Sequence, residues 1–212
     1  QAIVRLPNDL APDTTRVWFV PEDTPYFYWL IPESSERGAL GLIGEDGEKT
    51  RRCLEQFLAT RGLEPLGFQA ARIPVYTRWR PVHRRVAAGD VYLVGDAAGH
   101  VKVTTVGGIV TGFRGAAAVV DHILGGWARA RRPLSALRRE LDRHRLIRRT
   151  LHHFTQTDYC QVIESLGPRA RRLLGRCTRD EAAELLARLL VTEPRLLLLG
   201  LRALVLGAVD RQ

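Results

Sequence analysis

The stretch that most constrains this chain runs from Val91-Tyr92-Leu93-Val94 through Gly95-Asp96-Ala97-Ala98-Gly99 to Gly107-Gly108-Ile109. Strand-forming residues lead into a small-residue turn, and a second glycine pair opens a helix near Gly108. Such a loop lets a large ligand reach the backbone, because Gly95, Gly99, Gly107 and Gly108 carry no side chain to hold it away. The helix start adds unpaired N–H groups and a partial positive charge, which suit a phosphate or the electron-rich edge of a ring. Asp96 reads as an acceptor for hydroxyl groups, since a carboxylate does not favour a nearby phosphate. These parts describe a nucleotide cofactor, with the acid on a sugar alcohol.

The flanking sequence supplies the scaffold. Residues 1 to 46 alternate short apolar runs with turn residues: Ala2–Val4, Val17–Val20, Phe27–Ile31 and Leu40–Ile43 read as antiparallel strands. Residues 47 to 61 switch to helical spacing, with Gly62 placed to end the helix. Gly67 to Val75 reads as a further strand, and Tyr76 to Arg85 as a basic loop holding Trp79 between Arg78 and Arg80. After the glycine loop, Ile109, Phe113, Ala116, Val120 and Ile123 recur at helical steps and predict the buried face of a helix that Gly125-Gly126 closes. Gly112 and Gly115 are expected to allow close packing on a neighbouring sheet. Pro133 reads as a first-turn residue of an Arg/Leu-rich helix reaching His153. Arg169 to Leu174 and Asp180 to Leu190 suggest two more helices. The apolar run Leu196 to Val209 is about 14 residues long and contains Arg202, short of the roughly 20 needed to span a bilayer.

Charge narrows the partners. The net charge is +9, supplied almost wholly by arginine, with lysine only at Lys49 and Lys102. Much of the excess lies between Arg129 and Arg149, on a helical segment with few aromatics for base stacking. That distribution speaks against nucleic acid; its readings are a solvated helix face or contact with anionic lipid head groups at a membrane surface. Cys53, Cys160 and Cys177 give no Cys-x-x-Cys spacing, which fits a reduced cytoplasmic compartment. His144, His152 and His153 have no complementary ligand spacing, so no metal is expected. No Ser/His/Asp order or paired-acid motif suggests protein-side catalysis.

Gly95-Asp96-Ala97-Ala98-Gly99 resembles the second flavin-binding motif of FAD-dependent oxidoreductases with the para-hydroxybenzoate hydroxylase fold. The continuation Val101-Lys102-Val103-Thr104-Thr105-Val106-Gly107-Gly108-Ile109 is most similar to the geranylgeranyl reductase branch. The resemblance implies that Asp96 contacts the ribityl chain of FAD and that Gly108 and Ile109 lie against the flavin. It extends the cofactor-binding set to Gly95, Ala97, Ala98, Gly99 and Gly107. The chain departs from the family at Val103 and Val106, where proline and the first glycine of a triplet are usual. Phe27-Tyr28-Trp29-Leu30-Ile31-Pro32 is similar to the family's aromatic-x-Trp-x-Phe-Pro motif, which implies a lipid cavity lined by Phe27, Trp29 and Ile31, with Trp79 a further substrate candidate. A buried aromatic strand would explain the same residues without a ligand.

The implied fold is α+β, the C-terminal part of such an oxidoreductase. Residues 1–85 would form an antiparallel-sheet substrate region, 86–130 the flavin-binding strand, loop and helix, and 131–212 a helical region. The implied activity is reduction of isoprenoid carbon–carbon double bonds by hydride transfer from reduced flavin, with NADPH or ferredoxin as electron donor. The implied location is cytoplasmic, peripheral at a membrane if the basic segment meets lipid. A flavin monooxygenase or halogenase of the same fold, and a non-catalytic lipid-binding fragment, are the alternatives. No Gly-x-Gly-x-x-Gly follows a strand anywhere in the chain, so the dinucleotide-binding part is expected to be missing and FAD binding by this chain alone to be weak.

Overall fold

The computed structural model describes residues 1–6, 11–177 and 182–209. It is a mixed α/β protein in two compact units, one of residues 1–71 with 152–164, the other of 72–151 with 165–212.

The first unit is built on a five-stranded antiparallel sheet. Strands β1 (Ala2–Arg5), β2 (Arg16–Trp18), β3 (Tyr28–Pro32), β4 (Arg37–Leu42) and β5 (Pro65–Phe68) pair in the order β2-β3-β4-β1-β5. Helix α1 (Gly47–Thr60) starts at Asp46, whose carboxylate accepts the Lys49 N–H at 2.7 Å, and gives way at Gly62, where φ is +62°. Its buried Leu54 and Leu58 join Val4, Tyr28, Leu30 and Leu40 in one apolar cluster. The period of two along β3 sends Tyr28 and Leu30 into that cluster and leaves Phe27, Trp29 and Ile31 on the opposite side. The strand expected over Gly67 to Val75 is shorter and earlier, ending at Phe68. Helix α3 (Gln156–Ser165), not anticipated, brings Tyr159 into a stack on Phe19 with centroids 4.4 Å apart.

The second unit carries the glycine loop. Part of the expected basic loop is a strand: β6 (His83–Val86) pairs antiparallel with β7 (Gly89–Tyr92) in a hairpin. Asp90 holds it together, meeting His83 Nε2 at 2.8 Å and the Arg85 guanidinium across the pair, so opposite charges compensate for an arginine-rich strand. A single 3₁₀ turn over Gly95–Ala98 follows, and Gly99, at φ +72°, ends it. Helix α2 (Ile109–Leu151) is broken at Gly126, with φ 72° and ψ 179°, which makes two arms, 109–125 and 127–151. The expected stop at Gly125-Gly126 is therefore a sharp corner between helical arms.

Three expectations about α2 are corrected. Ile109, Phe113, Val120 and Ile123 are exposed, and the buried side of the first arm is instead Thr111, Gly115, Ala118 and Val119. The apolar stripe exists, but small residues on another side let the backbone approach its neighbours more closely. Gly115 meets the ring of His100 and Gly112 meets Gly95, so both glycines pack on the glycine loop and not on a sheet. Pro133 lies inside the second arm, beyond its first turn. That arm buries Ala130, Leu134, Leu137 and Leu141 against Trp79, Val82 and Tyr76, and the Tyr76 hydroxyl donates to Asp142 at 2.9 Å.

Helices α4 (Pro168–Arg176), α5 (Ala182–Thr192) and α6 (Arg195–Val209) complete the unit. Asp180, the expected start of α5, lies outside the described residues. Among the described residues no helix is long and apolar enough to cross a membrane.

Candidate functional site

Beside the glycine loop lies a cleft of about 470 Å³, within the range of about 300–1,000 Å³ usual for small-molecule and cofactor sites. One wall is the 3₁₀ turn, with Gly95 and Asp96; another is the start of α2, with Gly108, Ile109 and Gly112; Ile73, Val106 and Phe113 close it with apolar surface. It was therefore the exposed part of the α2 stripe, Ile109 and Phe113 with Ala116, that became cleft wall.

Each element positions its residue for a definable reason. Val94 is extended, at φ −137° and ψ 160°, so the strand direction continues to the lip of the cleft before the chain turns at Gly95, where φ is +56°. Asp96 sits in the first turn of the 3₁₀ segment with its carboxylate exposed at the cleft. A Cβ on Gly108 would stand 3.2 Å from Asp96 Oδ1 and 3.2 Å from Val101 Cγ2. Absence of a side chain there is what lets the helix start lie directly beside the acid. The first helical bond of α2 runs from the Gly112 N–H to the Gly108 carbonyl at 2.7 Å. By helix geometry the N–H groups of the preceding residues have no partner within the helix and point out of its start. Acceptor and donors thus lie at one cleft.

The turn from Lys102 to Gly107 is closed by the Lys102 N–H on the Gly107 carbonyl at 3.0 Å. Within it Val106 is the one non-glycine residue among those described with positive φ, at +51°. A β-branched residue is costly in that conformation. This is the position at which the sequence departs from the family's glycine triplet, and Val106 now contributes to the cleft.

Behind the loop is a residue that sequence reasoning passed over. His100 is fully buried, its ring stacked on Trp79 with centroids 5.5 Å apart and pressed against Gly115. Among the described residues neither ring nitrogen has a hydrogen-bond partner, and burial holds the ring's pKa below the usual histidine value. Thr111, also buried, donates its hydroxyl to the His100 carbonyl and so ties α2 to the loop. The repeated small residues at Gly112 and Gly115 were the available signal for a partner of this kind; Ile73, on an irregular segment, offered none.

The remaining site candidates fall elsewhere. Ala98 and Gly99 are buried behind the turn, and Ala97 and Gly107 do not line the cleft. Trp79 packs on both apolar clusters of its unit and on His100, away from the cleft lining. In the first unit Trp29 lies over Gly41, where a Cβ would come within 2.8 Å of Cη2 and closer still to the rest of the indole. Phe27 meets it edge-on, with centroids 6.0 Å apart, and Ile31 is exposed. His144 is buried with Nδ1 2.6 Å from the Thr104 hydroxyl.

No family model matches the chain. Digeranylgeranylglycerophospholipid reductase 2 of Methanothermobacter thermautotrophicus is 32% identical over 110 residues, which cover 48% of this chain and 26% of that protein. A geranylgeranyl bacteriochlorophyll reductase-like protein from Thermoplasma acidophilum has a similar fold, with a TM-score of 0.61 and 16% identity, over 79% of this chain and 48% of its own. The chain thus spans about a quarter of the curated relative and about half of the structural neighbour. The relative in sequence is thus a digeranylgeranylglycerophospholipid reductase, and the neighbour, a geranylgeranyl bacteriochlorophyll reductase-like protein, shares the fold.

Proposed function

We propose that this chain is the flavin-ring side of an FAD-dependent reductase acting on isoprenoid lipids, with residues 86–130 around the flavin, the sheet within 1–85 serving the lipid, and 131–212 a helical C-terminal region. The observation that carries the proposal is the juxtaposition of Asp96 and the side-chain-free start of α2 at one cleft. The residues present fit the ring and ribityl portion of the cofactor. Asp96 would accept the ribityl hydroxyl groups, the open helix start would offer N–H donors to the electron-rich ring, and the space at Gly108 is one that a Cβ would fill. For the adenosine diphosphate end this sequence has no Gly-x-Gly-x-x-Gly turn, in line with a chain that spans only part of its relatives.

Bound FAD, once reduced by a donor such as NADPH or ferredoxin, would supply a hydride to one carbon of a double bond, with the proton for the other carbon coming from the reduced cofactor or solvent. The chain's own contribution is orientation and exclusion of water. Ile73, Ile109 and Phe113 give the cleft apolar walls, and Phe27, Trp29 and Ile31 are the proposed contacts for the isoprenoid chain. No side chain at the cleft is assigned a proton-transfer role.

Titration with riboflavin, which keeps the ring and polyol and lacks the diphosphate, tests the cofactor assignment. Weak quenching of its fluorescence is expected with the purified chain, and loss of that quenching in Asp96→Ala. Equal quenching by the variant would refute the role of Asp96. The substrate assignment is tested by incubating the protein, dithionite-reduced FAD and a geranylgeranyl lipid and looking by mass spectrometry for a gain of two hydrogens per double bond.

A further inference from the structure

The two arms of α2 meet at Gly126, and the corner exposes Ile123, Leu124 and Trp127, with Leu124 at 75% and Trp127 at 52%. Three large apolar side chains within five residues at a solvent-facing corner are unfavourable unless something apolar receives them. Arg129 folds back over this corner: a Cβ on Gly125 would come within 2.9 Å of its Nε and closer to its Cδ. A guanidinium therefore stands beside the apolar tip, and Arg131 and Arg132 follow it, both exposed.

The rest of the second arm continues the pattern. Its buried side is Leu134, Leu137, Leu141 and His144, and Arg139 and Arg143, on the other side, are exposed. The two acids of that stretch are already engaged, Glu140 by Arg114 at 2.5 Å and Asp142 by the Tyr76 hydroxyl and Arg138. The outward charge of the arm is consequently positive.

We propose that this corner docks on an anionic lipid bilayer, with Leu124 and Trp127 entering the boundary between head groups and acyl chains and Arg129, Arg131 and Arg132 meeting lipid phosphates. An apolar tip collared by arginine matches both layers of such a surface at once. A nucleic acid would satisfy the arginines and leave Leu124 in water, and Trp127 is turned edge-on to His122, with centroids 5.6 Å apart. The proposal goes beyond the redox reading and does not depend on it, because its test contains neither flavin nor isoprenoid.

The full chain is sedimented with vesicles of phosphatidylcholine alone, with vesicles containing phosphatidylglycerol, and with duplex RNA as a competing polyanion. Binding to the phosphatidylglycerol vesicles is expected, falling as salt is raised. Leu124→Ser/Trp127→Ser and Arg129→Gln/Arg131→Gln/Arg132→Gln should each weaken it on the order of tenfold or more, with far-UV circular dichroism unchanged. As a readout that survives a poorly folding variant, acyl chains labelled with bromine should quench wild-type tryptophan emission and quench Trp127→Phe less. Vesicle binding that ignores Leu124 and Trp127, no extra quenching of Trp127, or RNA binding that outcompetes the vesicles would each overturn the proposal.

Discussion

Replacing Gly115 by alanine is expected to destabilise this protein even though it improves helix propensity, and the same change at Gly112 is expected to stabilise it. Both glycines lie within the first arm of α2. Propensity alone would favour alanine by about 0.8–1 kcal/mol at either. At Gly115 the new Cβ would overlap Nδ1 and Cε1 of His100 and stand 3.3 Å from Cγ. That ring is fully buried and stacked on Trp79, so it cannot swing into solvent to make room. Overpacking costs about 1–3 kcal/mol, and a Cβ that overlaps a buried ring nitrogen belongs in the upper part of that range, about 2–3 kcal/mol, so the excess over the propensity gain leaves a net loss of about 1–2 kcal/mol. In a domain of this size that lowers Tm by roughly 2–8 °C. At Gly112 the nearest atom to an added Cβ is the Gly95 Cα at 3.4 Å, an ordinary contact, so most of the propensity gain survives and Tm should rise by about 2–4 °C. Thermal melts followed by far-UV circular dichroism measure both. A Gly115→Ala melt at or above that of the wild type would refute the packing of His100 on α2. In a His100→Ala background the penalty should vanish, which separates the clash from any other defect at position 115.

Three other outcomes are expected. Burial depresses the His100 pKa in the folded state, so the unfolded chain takes up the proton first as pH falls below about 6.5. Stability present above that pH is lost as pH drops toward the folded value, and urea midpoints at neutral and mildly acid pH should show a smaller drop for His100→Gln than for the wild type. Val106→Gly and Val106→Ala both remove the branched side chain, but only glycine also relieves the positive φ. The glycine variant should therefore be the more stable of the two by about 1 kcal/mol in urea titrations, and equal stabilities would show that the turn is unstrained. Because Asp96 is exposed, Asp96→Ala should leave the melt within about 0.5 kcal/mol of wild type while abolishing riboflavin quenching; a large loss of stability would mark Asp96 as structural.

The sequence by itself determined the antiparallel strands, α1 with its stop at Gly62, and the strand, glycine turn and helix that make the cleft. Those are local decisions, set by alternation, capping chemistry and the need for positive φ at named residues. It also determined that Ile109, Phe113, Ala116, Val120 and Ile123 share one side of a helix. Only the tertiary structure decided what that side faces. Periodicity reports which residues lie together and not whether anything covers them, so a stripe read as core became cleft wall at one end and an exposed corner at the other. The same holds for His100 and Gly115, which are separated along the chain and brought into contact only when α2 folds back on its own loop. Arg84 and Arg85 were legible as loop residues until Asp90 and Val91 faced them across a hairpin. A strand's charge compensation, like a helix's covering, comes from a neighbour that sequence order does not name.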